Sequence, residues 1–209
     1  MVEMSMNRVI HAAFRRDLDR FAGALAIFAD RDTSRARQLG LAWANFNLQL
    51  TNHHAGEHDI AWPALKSVGV GADVIDQMNT EHDRLAAALA TAHAALTKLA
   101  KSASGDDAKA AGDAIATLKQ VATEHLDHED ALIEPVYLAK QNTPEIKAMG
   151  RKFGKVPPPV AGTFFAWLQD GASAEELAAI RTSVPGPVVT ILSGLFGRRY
   201  RRQVQPAWR

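Results

Sequence analysis

The sequence predicts an all-α protein, an up-down-up-down four-helix bundle with a helical extension at its C-terminal end. Three observations predict it. Four long windows carry apolar residues at steps of three and four, the period of an amphipathic helix. Polar runs of turn composition, DRDTSR and KSASGDD, separate the first window from the second and the third from the fourth. Hydrophobic residues make up 47% of the 209 and alanine is abundant, which favours helix.

The first helix is expected from about Asn7 to Ala29, with Ile10, Phe14, Phe21, Leu25 and Phe28 on its apolar rows and His11 leading an inward row with Phe14, Leu18 and Leu25. The second, about Ser34 to Lys66, runs through Leu39, Ala42, Phe46, Leu50, His53, Glu57 and Ile60, and Pro63 kinks or ends it. The third starts near Asp73 as N-cap and follows Ile75, Met78, His82, Leu85, Leu89, Ala92, Leu96 and Leu99. The fourth begins after Gly105, capped by Asp106 or Asp107, and follows Ile115, Leu118, Ala122, His125, Glu129, Leu132 and Val136. Residues 1–142 form the bundle in this reading and residues 143–209 the extension. There the prolines at 157 to 159 read as an extended linker, Ser173 caps a short helix, and Val188 to Arg202 makes a last helix that turns from apolar to basic. The aromatic cluster Phe164, Phe165, Trp167 and Leu168 is expected to fold back onto the bundle.

Within this frame a stretch repeats. HHAGEHDIAWP at 53–63 returns as HLDHEDALIEP at 125–135, so each copy has a histidine, a glutamate four later and a proline ten later. On a helix the i and i+4 side chains share a face, so each copy offers one imidazole and one carboxylate to a common point. His11 precedes His53 by 42 residues and His82 precedes His125 by 43, and the midpoints, Asp32 and the Ala103–Ser104 bond, fall inside the two turn runs. If each midpoint is a hairpin, all four histidines lie roughly 31 Å of helix from their turn, at one level of the bundle. Burying Glu57 and Glu129 there without a counter-charge costs several kcal/mol each, roughly, which a cation would offset.

Composition narrows the chemistry. There is no cysteine, which excludes thiolate zinc sites, ordinary iron–sulfur ligation and cysteine nucleophiles. Imidazole with carboxylate suits iron, manganese or zinc, and bridging carboxylates are the usual way a bundle holds two ions. The ferritin-like Glu-x-x-His motif is absent from the sequence. Charge is uneven: residues 1–150 hold 15 Lys and Arg against 20 Asp and Glu with all eight histidines, and residues 151–209 hold 9 against 3. No secretory signal or stretch long enough to span a bilayer is visible, so a cytoplasmic location is expected, with no nucleic-acid partner.

The order His11, His53 with Glu57, His82, and His125 with Glu129 resembles the hemerythrin-like (HHE) cation-binding domain over about residues 7 to 140. The tail, with VPPP and FGRRYRR, looks like that of some actinobacterial members. The resemblance implies a non-haem di-iron site with an oxo or hydroxo bridge, Glu57 and Glu129 bridging, His11 and His53 on one iron, and His82 and His125 on the other. Oxygen carriers of the family have a further histidine four residues after the third-helix one, where this chain has Ala86, and an aspartate five after the fourth-helix histidine, where Asp130 stands beside Glu129 and competes with it for the bridge. His54, His58 and His128 are neighbours that could fill a vacancy or support a ligand. The resemblance implies reaction with O2, H2O2 or NO, with catalase-like decomposition of hydrogen peroxide as the leading expectation and reversible O2 or NO binding as the alternative; a zinc ion that only staples the bundle is the structural reading.

Overall fold

The computed structural model describes residues 4–209, which are helical with no strand among them. Four long helices form the bundle: α1 (Met6–Ala26), α2 (Thr33–Gly56), α4 (Ala72–Ser102) and α5 (Gly105–Leu132). Short α3 (Trp62–Ser67) and α6 (Glu134–Lys140) extend α2 and α5, and α7 (Pro144–Phe153), α8 (Pro158–Gln169), α9 (Ala174–Ser183), α10 (Gly186–Phe196) and α11 (Arg198–Gln203) make up the tail.

Contacts between the long helices run in opposite senses. Phe14 meets Phe46 and Phe21 meets Trp43 across α1 and α2. Arg84 reaches Glu124 and Lys98 reaches Asp107 across α4 and α5, and Arg15 reaches Asp127 across α1 and α5. Leu18, Phe21, Leu39, Phe46, Leu85, Leu99 and Leu118 are fully buried on the facing stripes. Each such side chain contributes about 1.5–3 kcal/mol on burial.

The two turns sit at the expected midpoints and touch each other. Asp32 caps α2 by accepting from Arg35 N–H, Ala103 ends α4 in the left-handed region at φ 50°, and Ser104 caps α5 by accepting from Asp107 N–H. Arg31 N–H donates to the Ala103 carbonyl at 2.7 Å, and Asp30 Oδ1 accepts from Gly105 N–H at 2.8 Å. The caps differ from expectation by a step or two. Gly71, extended at ψ 147°, precedes α4 while Asp73 lies in its first turn, and Ser104 rather than an aspartate caps α5. Acids inside the first turn still face the positive end of the helix dipole.

Both repeat copies break before their proline, by different means. In the first, α2 passes into a π-helical turn at Glu57–Ala61 before α3 resumes with Pro63 near its start. A π turn holds an extra residue, which gives room to a pyrrolidine ring that would clash in an α-helix. In the second, the α-helix ends at Leu132, Ile133 makes a break, and Pro135 starts α6. Leu132, expected on the inward stripe, is consequently 40% exposed, because the stripe changes direction there.

The tail departs most from expectation. The proline run is no extended linker: Pro157 is the N-cap of α8 and Pro158 opens the helix, where a missing N–H costs nothing. The expected last helix is two, broken at Gly197, whose added Cβ would lie 2.3 Å from the Ser193 carbonyl. Ser173 does cap α9, in a capping box with Glu176. Trp167 is fully buried against Phe14, and its Nε1–H donates to Asp17 Oδ2 at 2.7 Å. Arg16 and Arg20 satisfy the other Asp17 oxygen, so this buried acid has partners on both sides.

Candidate metal centre

The ligand-type side chains gather at the end of the bundle away from the two turns. Histidine reaches the centre from α1 (His11), α2 (His53 and His54), α4 (His82) and α5 (His125), and carboxylates from Glu57 and Glu129. They fall into two groups. His11, His53, Glu57 and Glu129 form one, and His54, Glu57, His82 and His125 the other; within each, one ligand atom per residue lies within 4.8 Å of all the others. Glu57 belongs to both. All six residues singled out on the sequence stripes are therefore brought together, and His54 joins them.

Atom-level contacts show what these groups face. His53 Nε2 lies 3.0 Å from Glu57 Oε1, His82 Nε2 lies 3.4 Å from Glu57 Oε2, and His11 Nε2 lies 3.3 Å from Glu129 Oε2. His125 Nε2 is 3.7 Å from that same Glu129 oxygen and 3.1 Å from His82 Nε2. Yet His11 Nε2, His53 Nε2, His54 Nε2, both Glu57 oxygens and Glu129 Oε2 are buried with no hydrogen bond. These unbonded atoms belong to the same two groups, whose ligand atoms lie within 4.8 Å of one another. Six buried orphaned donor atoms in two groups are hard to reconcile with a native interior unless something occupies those positions. The donor set fits cations of the imidazole- and carboxylate-binding kind.

The protonation pattern agrees. Burial pushes the His53 imidazole down to about 3 and His82 to about 4, and it lowers His54 and His125 as well. Burial acts in the same direction on His11, but Glu129 and Asp130 outweigh it and lift the group to about 9. Burial and the neighbouring Glu129 hold the Glu57 carboxyl well above the usual range. Burial alone would raise Glu129 too, but His11 keeps it well below. The metal-free centre thus keeps His11 protonated where a bound cation would take its place.

Around the ligands stand residues that orient them. Asp130 accepts from His11 Nδ1 at 2.8 Å and is itself engaged by Arg15, so of the two adjacent acids Glu129 faces the cluster and Asp130 supports a histidine. Asn7 Nδ2 donates to Glu129 Oε1 at 3.3 Å, leaving only Oε2 toward the centre. On the opposite side Glu81 accepts from His125 Nδ1 at 3.2 Å through one oxygen and pairs with His128 Nδ1 at 2.8 Å through the other. Burial would raise the Glu81 carboxyl, but hydrogen bonds from Gln77, His128 and His125 outweigh it and hold the group down. An ionised acid on Nδ1 fixes the tautomer and leaves Nε2 bare, as ligand histidines require.

The three neighbouring histidines take different places. His54, whose ring stacks on His82 at 4.1 Å, belongs to the cluster itself. His58 does not; its side chain is 73% exposed and pairs with Asp59. His128 reaches the cluster only through Glu81, which sequence reasoning missed although it directly precedes His82. Trp62, stacked on His82 at 5.9 Å and donating to Asn79, was missed as well.

An all-α bundle with two such groups in its interior is a cation-binding helical protein. A family model, the hemerythrin HHE cation binding domain, matches residues 7–137, and the chain belongs to that family. No curated protein and no solved structure matches it.

Proposed function

We propose that the chain is a non-haem di-iron protein that decomposes hydrogen peroxide in a catalase-like way. The observation that carries the metal pair is Glu57, which has both oxygens buried and unbonded, one beside His53 and one beside His82. In this reading His11, His53, Glu57 and Glu129 hold one ion, and His54, His82, His125 and Glu57 the other. Residues 1–142 are then the chemical unit and residues 143–209 its cover.

The bound metals supply the electron transfer: one peroxide gains two electrons and two protons to become two waters, and a second gives both back to become dioxygen. The protein's share is to hold the protons. His128, about half exposed, links solvent to Glu81, and Glu81 reaches His125 at the edge of the centre. A proton accepted on Glu81 Oε1 exchanges with His128 Nδ1 and so with water. Burial of His11, Glu57, His125 and Glu129, with His53, His54 and His82 partly exposed, limits the access of other reductants to the centre.

Iron-loaded protein is expected to evolve oxygen from peroxide, and Glu57→Ala to abolish it. Absence of oxygen evolution, or a Glu57→Ala protein as active as the parent, would overturn the reading. A second reading, reversible O2 or NO binding, is favoured by His54, which gives one group three imidazoles where the other has two. Mixing the anaerobic diferrous protein with O2 separates them, since a lasting and reversible charge-transfer band marks binding and prompt irreversible oxidation marks turnover. Metal analysis after growth with equal iron, manganese and zinc tests the identity of the ions.

A further inference from the structure

Three of the exposed aliphatic side chains of the C-terminal segment lie on α10. That helix, GPVVTILSGLF, carries no charged residue, and Val188, Ile191 and Leu195 are 42, 58 and 65% exposed. Steps of three and four place them on one face. The rest of the helix is engaged: Val189 is buried, and the Leu192 backbone approaches α8 so closely that a Cβ on Gly162 would lie 2.4 Å from its carbonyl oxygen. The stripe is therefore no frayed core. It is the outer side of a well-seated helix.

Beyond Gly197 the chain reads RRYRRQ. Arg198, Arg199, Arg201 and Arg202 are all exposed, and none forms an ion pair among the described residues. Arg201 is spent on the carbonyls of Ser193 and Gly194, and Arg199 on Gln203. Arg198, Arg201 and Arg202 line an open depression of about 560 Å³ together with Leu195, so charge and stripe adjoin. The nearby acid Asp170 is already taken by Arg20, Tyr200 and Gln205.

We propose that this face docks the protein on an anionic lipid membrane. α10 lies in the interfacial plane, with Val188, Ile191 and Leu195 in the acyl boundary and Arg198 and Arg202 on lipid phosphates. Charge complementarity selects the partner: four uncompensated guanidinium groups demand a dense anionic surface, and guanidinium binds phosphate through two donors at once. Hydrocarbon then takes the aliphatic stripe without a shaped groove. Among the described residues no single helix is long and apolar enough to cross a bilayer, and α9 with α10, which together have the length and composition, are bent by 105° at their junction. The eleven residues of α10 are about 16 Å long, roughly half a hydrocarbon core, so the contact is peripheral.

The test is sedimentation of the full metal-loaded chain with phosphatidylcholine vesicles, with and without phosphatidylglycerol, at low and high salt. Partition into the anionic vesicles only, weakened by salt, is expected. Arg198→Glu with Arg202→Glu should lower it by more than about tenfold, and Ile191→Ser with Leu195→Ser by about tenfold at either salt. All four sites are exposed, and unchanged helical circular dichroism verifies that the variants fold. Equal partition into neutral vesicles, none into anionic ones, or indifference to both double variants overturns the proposal. So does a lipid-free dimer that Ile191→Ser with Leu195→Ser dissolves, which would make a second copy the occupant.

Discussion

The two copies of the repeat share a pattern and divide the work unequally. The first copy sends His53, His54 and Glu57 into the centre, whereas the second sends His125 and Glu129 and turns its other polar residues to supporting them. Where the first has His54 the second has the buried Leu126, and where the first has the exposed His58 the second has Asp130 on His11. Gly56 of the first corresponds to His128 of the second. At Gly56 the tail closes in, with Phe153 2.8 Å from where a Cβ would be, while His128 holds Glu81. A repeat in sequence thus makes a centre that is asymmetric in its glutamates and its imidazoles alike, with one copy rich in donors and the other rich in supports.

The largest expected break comes from Glu57, because both groups depend on it. Glu57→Leu should empty both positions, read as loss of bound metal by elemental analysis. It should at the same time leave the metal-free protein as stable or more stable, by up to about 4 kcal/mol in chemical denaturation, since a buried unpaired carboxyl is gone. Glu129→Leu, which has one free oxygen rather than two, should spare part of the metal. Equal losses would remove the distinction between the glutamates.

His54→Leu makes the first copy resemble the second. It should weaken metal at the His82 and His125 position by more than about tenfold, in line with loss of a ligand or its support, and leave the His11 and His53 position filled. Calorimetric titration shows this as one lost class of site, and two retained sites of unchanged affinity would expel His54 from the centre. Glu81→Gln keeps size but removes the charge that fixes His125. It should cost about 10- to 100-fold in affinity at the same position with the fold intact, whereas a structural role alone would change thermal stability and not affinity.

The pH dependence sharpens the contrast further. His11 is lifted to about 9, so its favourable charge interaction in the metal-free protein is complete below its ordinary value of 6.5 and is lost as pH rises through about 9. Metal must displace that proton. Affinity should therefore climb with pH up to about 9, by at most about tenfold per unit for this one group, with proton release measurable in buffers of different ionisation enthalpy. His53 and His82, pushed to about 3 and 4, are already neutral at pH 7 and release nothing there. The smallest effect belongs to Gly56→Ala. Phe153 meets the new methyl with the far end of an exposed ring, so the helix-propensity gain and the crowding should leave stability within about 1 kcal/mol, as thermal melts would show.

Much of this was legible because helices write their faces in steps of three and four. The stripes located Phe14, Phe46, Leu85 and Leu118 in the core, the turns fell at Asp32 and Ala103–Ser104, and the six ligands stood in phase with their stripes. Glu81 escaped, and His54 was named only as a neighbour that could fill a vacancy, because each sits about 100° around its helix from the adjacent stripe histidine. Whether such a flanking position is wet or dry depends on the neighbouring helix, which for Glu81 brings His125 and for His54 brings His82. The tail was misread for a related reason: a proline run allows an extended chain or a helix start, and the packing of Trp167 onto Phe14 and Asp17 accompanies the second.

By itself the sequence determined an all-helical chain, the pairing of its long helices through two short turns, and the identity of the imidazoles and carboxylates that meet, since periodicity and spacing are properties of a single strand of residues. Only the tertiary structure decided which oxygen of Glu57 faces which histidine, that His54 points in and His58 out, and that Asp130 and Glu81 bond to His11 and His125. Those choices are set by what lies across the interior, where a buried polar atom must find its partner on another helix and nothing local can supply one.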